Sequence, residues 1–297
     1  MNGLSYQTQK RIILLCFMSV PLALLALFTF YPAVKLVWMS FTDWDGLEAN
    51  PTWIGFANFV EVFTNRDLFG VFLNQIPYAV VGIAQNAIAI VFAVILNSKL
   101  RGRNGFRVLM FLPFIMNAVA VAFMFQYVFD TTNGSLNILL GAIGLDGLAR
   151  TSWLGNTSLV NFSLASISMW RFLGYNMVIY LGALQSIPAD MYEAAEIDGA
   201  GRWQKLARLT LPNLTKIIQL NMFLTLSGAL AVFDLPFVLT KGGPAGASET
   251  FLFKTINTAF QFNNFGLASA MSVVLLLIVV VVLSLQNLVI GRGGKDA

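Results

Sequence analysis

"EAAEIDGAGRWQKLARLTLP", Glu193 to Pro212, is a charged island in an apolar chain. It carries Glu193, Glu196, Asp198, Arg202, Lys205 and Arg208. The chain of 297 residues is 57% hydrophobic and only 11% charged, with a mean hydropathy of +0.74. Soluble domains carry about 25% charged residues. A chain so poor in charge cannot cover a water-facing surface, and its long apolar runs read as a polytopic membrane protein. The island marks a place where the chain leaves the apolar phase between two spans.

Its local pattern predicts two short helices with a break between them. Pro188 suits a first helical turn, where its missing N–H has no intrahelical partner in any case. Asp190 and Glu193 follow near that N-terminus, where the helix dipole favours negative charge. Asp198-Gly199-Ala200-Gly201 is the break, because glycine accepts a positive φ and a close approach of backbones. "RWQKLARLTL" then places Trp203, Leu206 and Leu209 on one side and Arg202, Lys205 and Arg208 on another, and Pro212 is expected to end this second helix. Amphipathicity leaves two readings open. The helices lie on the bilayer with their basic residues toward headgroups, or the small Ala194-Ala195 surface, flanked by Glu193 and Glu196, seats in a groove of another protein.

Working outward, six stretches are long and apolar enough to span: Ile12–Val34, Val71–Asn97, Val108–Phe129, Leu159–Leu184, Ile217–Leu239 and Gly266–Ile290. Lys10 and Arg11 precede the first, but it is too long for a signal peptide and no small-residue cleavage site follows. With the N-terminus inside, the inner segments hold Lys10, Arg11, Lys99, Arg101, Arg103, Arg107, Arg202, Lys205, Arg208, Lys216, Arg292 and Lys295. The outer segments hold Lys35, Arg66, Arg150, Lys241 and Lys254, and Arg171 falls within a span. The positive-inside rule then puts both termini and the charged island, residues 186–213, in the cytoplasm. The fold expected is an all-α membrane protein, a single transmembrane domain over residues 1–297.

Other classes find little support. The basic residues are dispersed over several loops, which argues for topology signals and against nucleic acid. There is no histidine and one cysteine, Cys16, so neither a metal site nor an internal disulfide is expected. No nucleophile–base set suggests an enzyme. No G-x-x-x-x-G-K-[ST] loop is present to cradle ATP phosphates. The loop from Phe41 to Phe63 mixes aromatics with turn residues. It reads equally as an interfacial aromatic belt or as a docking surface for an extracytoplasmic protein.

Glu193-Ala194-Ala195, three residues, Gly199, nine residues, Leu209, one residue, then Leu211-Pro212 resembles the EAA loop of ABC importer permeases, with leucine at 209 where the family prefers isoleucine. "YEAAEIDGAGRWQKL" is similar to the carbohydrate branch. The likeness continues in "RVLMFLPFIMNAVAVAFMFQYVF" (Arg107–Phe129), "NGSLNILLGAIGL" (Asn133–Leu145), "FDLPFVLTKGGPAGASET" (Phe233–Thr250) and "AFQFNNFGLASAMSVVL" (Ala259–Leu275). The chain thus resembles the permease subunit of a binding-protein-dependent sugar importer of the maltose, raffinose and glycerol-3-phosphate kind, with the type I importer fold.

This resemblance implies a second permease, two cytoplasmic ATPase subunits that carry ATP and magnesium, and an extracytoplasmic solute-binding protein, all in a bacterial or archaeal inner membrane. It implies that Glu193, Ala194, Ala195, Asp198, Gly199, Leu211 and Pro212 couple the chain to an ATPase, and that the chain itself binds no cofactor. For the sugar path it points to Ser168, Tyr175 and the neighbourhood of Gly228. Polar residues within spans are expensive and tend to face a cavity or bond a neighbouring helix, which adds Trp170, Arg171, Asn176 and Asp234. Arg171 and Asp234 either pair with each other or leave the cation for an anionic substrate; pairing is the reading preferred here. The small residues Ser227-Gly228-Ala229 either leave room for a sugar or pack helices closely. The competing function is an ATPase-independent secondary transporter or channel. It expects internal repeats and intramembrane acids, whereas no repeat is visible and Asp234 is the acid within a predicted span.

Overall fold

The computed structural model describes residues 5–98 and 100–292. Lys99 and Lys295, both part of the basic-residue pattern, lie outside the described residues. The helices in chain order are α1 (Tyr6–Leu25), α2 (Tyr31–Met39), α3 (Ala57–Thr64), α4 (Arg66–Phe69), α5 (Ile76–Asn97), α6 (Arg103–Ile115), α7 (Ala118–Val128), α8 (Ser135–Ala142), α9 (Asp146–Ala149), α10 (Val160–Gln185), α11 (Ala189–Ile197), α12 (Arg202–Lys205), α13 (Leu211–Leu230), α14 (Phe251–Phe260) and α15 (Phe265–Arg292). No strand is formed among the described residues; one isolated bridge joins Thr42 to Trp53. The fold is all-helical.

Three helical runs are long and apolar enough to cross a membrane: Tyr6–Met39, Arg66–Asn97 and Phe265–Ile290. The expected third span, Val108–Phe129, is not one straight helix. α6 and α7 meet at a 100° bend, where Met116 is extended and the Asn117 side chain caps α7 by accepting from the Val119 N–H at 2.9 Å. Counted as one broken span, this pair makes a fourth. The expected fourth and fifth spans are helical in α10 and α13, which carry too many polar residues to join the others on composition. The fifth is also shorter than expected. Its helix stops at Leu230, and the chain opens at 231–233 before a π-helical turn at Pro236–Thr240.

Proline placement explains two further irregularities. Proline lacks the N–H that a helix needs and its ring crowds the preceding turn. Ahead of Pro32 and again ahead of Pro212 the helix widens into one π-helical turn, over Ala26–Phe30 and Leu206–Thr210, in which Tyr31 N–H reaches Ala26 O and Leu211 N–H reaches Leu206 O. The wider turn absorbs the missing donor. Pro212 therefore does not end the second short helix, contrary to the sequence expectation. The helix runs from α12 through that turn into α13.

The described chain forms two compact units. In the first, residues 1–64 with 255–274, α1 and α2 bury no residue and present an almost continuous apolar surface. The loop after them is ordered. Asn58 donates to the carbonyls of Ser40 and Thr42 at 3.0 and 2.8 Å, Phe41 stacks on Trp53 at 5.2 Å, and the N–H groups of Leu47 and Glu48 hold the exposed Asp45 carboxyl below its ordinary pKa.

In the second unit, residues 65–254 with 275–297, α10 is the central post, packing on α5, α6 and α13. A polar cluster ties three of these helices inside an apolar surround. Tyr180 Oη and Asn221 Nδ2 donate to Asn86 Oδ1 at 2.5 and 3.0 Å, and Asn86 Nδ2 donates to Gly82 O and Thr225 Oγ1, both at 2.9 Å. Asn86 is the hub. Asn86→Leu strands the Tyr180 hydroxyl and one Asn221 donor, each orphaned group costing about 1–3 kcal/mol. The variant is expected to lower the thermal unfolding midpoint in detergent by several degrees; an unchanged midpoint would refute the role of this hub.

Candidate functional site

Two features stand out on the second unit: the charged elbow between α10 and α13, and a cavity lined by α5, α6, α10, α13 and the residues just after α13.

The elbow is built by its glycine. α11 closes in a Schellman arrangement: Gly199 sits at φ +77°, its N–H bonds Glu196 O at 3.0 Å, and Ala200 N–H bonds Ala195 O at 2.9 Å. α12 then starts afresh, with Gly201 N–H bonded to Gln204 Oε1 at 2.8 Å. The two short helices are pinned to each other. Lys205 Nζ lies 2.5 Å from Glu196 Oε1, which holds that exposed carboxyl below the ordinary glutamate value of 4.5. Tyr192 Oη and Thr210 Oγ1 are 3.1 Å apart.

Of the residues predicted to act here, Glu193, Ala194, Asp198 and Gly199 are exposed, while Ala195, Leu211 and Pro212 are half-buried. The Glu193 carboxylate makes no hydrogen bond or ion pair among the described residues. Two apolar side chains of the elbow stand almost fully in the open, Ile197 at 87% and Trp203 at 82% exposure. The sequence reading placed Trp203 on an apolar face but gave Ile197 no part. Ile197 is the last residue of α11, directly before the break.

The cavity has a volume of about 360 Å³. Six of the seven residues proposed for a substrate path line it: Ser168, Arg171, Tyr175, Asn176, Gly228 and Asp234. Trp170 does not. It points away on α10 and packs edge-on against Phe125 at 5.3 Å. Arg171 and Asp234 do meet, with Nη1 3.5 Å from Oδ2. The guanidinium also donates to Met116 O at 3.4 Å and stands 5.2 Å from the Phe172 ring centroid. Gly228 leaves space instead of packing tightly, since a Cβ added there would meet nothing within 4 Å.

One wall is aromatic. Phe114 and Tyr175 stack at 4.4 Å, and Phe172 meets Phe114 at 5.8 Å. The lining also brings in Tyr78, Gln85 and Thr225. Tyr78 carried no sequence signal: one tyrosine in the first turns of a span looks like an interfacial anchor. Three buried groups of this lining lack any partner among the described residues, Tyr78 Oη, Arg171 Nε and Asn176 Nδ2. Unpaired hydroxyl and amide groups beside a stacked aromatic wall suit a ligand with many hydroxyls and an apolar face.

Residues 85–292 match the family described as binding-protein-dependent transport system inner membrane component. The chain is 35% identical to the probable ABC transporter permease protein YurN of Bacillus subtilis, over 97% of this chain and 99% of that one. It is 31% identical to the multiple sugar-binding transport system permease protein MsmF of Streptococcus mutans, over 91% and 92% of the two chains. In three dimensions it superposes with a TM-score of 0.82 on a chain of a bacterial alginate ABC transporter solved with an alginate pentasaccharide-bound periplasmic protein, at 24% identity and covering 98% of both. The relatives span the whole length, the fold agrees, and the chain belongs to the inner membrane components of binding-protein-dependent transport systems.

Proposed function

We propose that this chain is one of two permease subunits of an ATP-driven sugar importer in the cytoplasmic membrane of a bacterium or archaeon. It crosses the membrane six times with both termini in the cytoplasm, the α6–α7 pair making one broken crossing. The α11–α12 elbow seats in a cleft of a cytoplasmic ATPase subunit, with Glu193 making a polar contact, Ala194 and Ala195 permitting close approach, and Ile197 and Trp203 covered by the partner. Two such ATPases carry ATP and magnesium. Their closure swings the α10–α13 region between inward- and outward-facing states, a population shift driven by nucleotide. An extracytoplasmic binding protein delivers the sugar, and the cavity beneath Asp234 receives it.

The full-length likeness to a permease named for sugar transport carries this reading, and the mixed aromatic and hydroxyl-binding lining agrees with it. An ATPase-independent transporter finds no comparable support. The test is reconstitution of the complex, purified through a tag on this chain, into proteoliposomes with the binding protein inside the assay. Uptake of labelled sugar is expected to need both ATP in the lumen-equivalent of the cytoplasm and the binding protein. Accumulation in liposomes lacking every nucleotide-hydrolysing subunit would end the proposal.

A further inference from the structure

We infer that a groove between α13 and α15 holds one anionic phospholipid of the inner leaflet, its phosphate at Lys216 and Asn287 and an acyl chain along Leu220, Phe223 and Val280. The inference rests on the importer reading for the side of the membrane, and goes beyond it by naming a lipid site.

The groove lies within the second unit and has a volume of about 630 Å³. Lys216, Gln219, Leu220 and Phe223 form its α13 wall, and Val280, Leu283, Ser284 and Asn287 stand on its α15 wall. Both sets recur at i, i+3, i+4 and i+7, so each is one helix face. Along the groove the lining passes from polar to apolar. α13 rises from the cytoplasmic elbow, which puts Lys216 at the mouth and Phe223 about 10 Å deeper. α15 descends, which puts Asn287 near the mouth and Val280 deep. Leu220, Phe223 and Val280 are all exposed. An amphiphile with a charged head and an apolar tail has the same gradient.

The donors at the mouth decide the charge of that head. Gln286 Nε2 donates to Gln219 O at 3.0 Å, and Gln219 Nε2 donates to Asn287 Oδ1. Asn287 Nδ2 and Lys216 Nζ donate to nothing among the described residues. Neither α13 nor α15 carries an Asp or Glu, and none lines the groove among the described residues. A cation and an amide donor without an acceptor suit a phosphate diester. A zwitterionic lipid brings its own cation, which here finds Lys216 and no carboxylate. A lipid of net negative charge meets no such repulsion, and basic pockets between spans on the cytoplasmic side take anionic headgroups.

The test uses the complex purified through a tag on this chain, in nanodiscs of phosphatidylcholine doped with a phosphatidylglycerol that carries a diazirine on its acyl chain. After irradiation the labelled peptides are mapped. Label is expected on α13 around Phe223 and on α15 around Val280, displaced by plain phosphatidylglycerol and not by phosphatidylethanolamine or glycerol phosphate. Lys216→Gln is expected to lower this label about fivefold with the yield of complex unchanged, since Lys216 is exposed, and Lys216→Arg to keep it. Val280→Trp, which fills the deep end and leaves the cation, is expected to abolish it. Equal displacement by phosphatidylethanolamine would overturn the charge argument. Displacement by glycerol phosphate would make this a site for a free phosphate, and absence of label from both stretches would mean that a neighbouring subunit covers the groove; either ends the proposal, as does unaltered label in Lys216→Gln. Labelling needs neither ATP nor the binding protein. Failure here with ATP-dependent uptake intact overturns the lipid site alone, and loss of that dependence with labelling intact overturns the importer reading alone.

Discussion

A Gly199→Val chain is expected to enter the membrane at the normal level and to transport nothing. The argument is local. Gly199 holds φ +77° at the end of α11, a region that costs an L-residue roughly 1–2 kcal/mol and a β-branched one more. Nothing lies within 4 Å of an added Cβ, so the defect is not a clash. Valine instead pulls the backbone out of the left-handed region and breaks the bonds from Gly199 to Glu196 and from Ala200 to Ala195. The angle between α11 and α12 is then lost, while α10 and α13 keep their packing.

Gly199→Asn serves as control, because asparagine tolerates this conformation, and it should retain most uptake. Glu193→Lys should fail for a different reason. Its carboxylate has no partner among the described residues, so the reversal leaves the chain's own fold intact and acts on the surface that an ATPase would contact. Uptake of labelled sugar, read beside membrane abundance and co-purification of the ATPase, checks both variants. Normal uptake in either removes the elbow from the coupling step.

The second large effect lies inside the helix bundle. Gly174 of α10 faces the backbone of α6 so closely that an added Cβ would overlap the Met110 carbonyl and stand 2.8 Å from Phe111 N. These are main-chain atoms, so no rotamer relieves the contact and the two helices must part. Close approach through small residues is a main source of helix packing in membranes. Gly174→Ala is expected to destabilise the chain by about 1–3 kcal/mol, the usual cost of overpacking, and Gly174→Leu to prevent accumulation of folded protein. Gly182→Ala on the same helix is the matched control. It has nothing within 4 Å and should be neutral or slightly stabilising, since alanine favours a helix over glycine. Thermal unfolding followed by size-exclusion fluorescence separates the two positions. Equal midpoints for Gly174→Ala and Gly182→Ala would contradict the close approach.

Gly174 and Gly182 look alike in the sequence, and that contrast shows where reading the chain runs out. Local features were legible because neighbouring residues settle them. The apolar runs follow from composition, and the turn at Asp198–Gly201 follows from glycine's freedom at positive φ. Even the bend of α6 on α7 had a local signal that the span pattern concealed: Pro113, then Asn117, a residue suited to cap a new helix. Pro212 misled because its expected effect, ending a helix, is relieved by one wide turn.

The amino-acid order alone determined that this is an all-helical membrane chain with a charged, glycine-broken elbow, since solvation and backbone conformation act residue by residue. The tertiary structure alone decided that Tyr78 shares a cavity with Asn176 and Asp234, that the pairing of Arg171 leaves the acid outermost, and that Gly174 touches another backbone. Those facts depend on how helices far apart in the chain converge, and packing between distant segments leaves no periodic trace along any one of them.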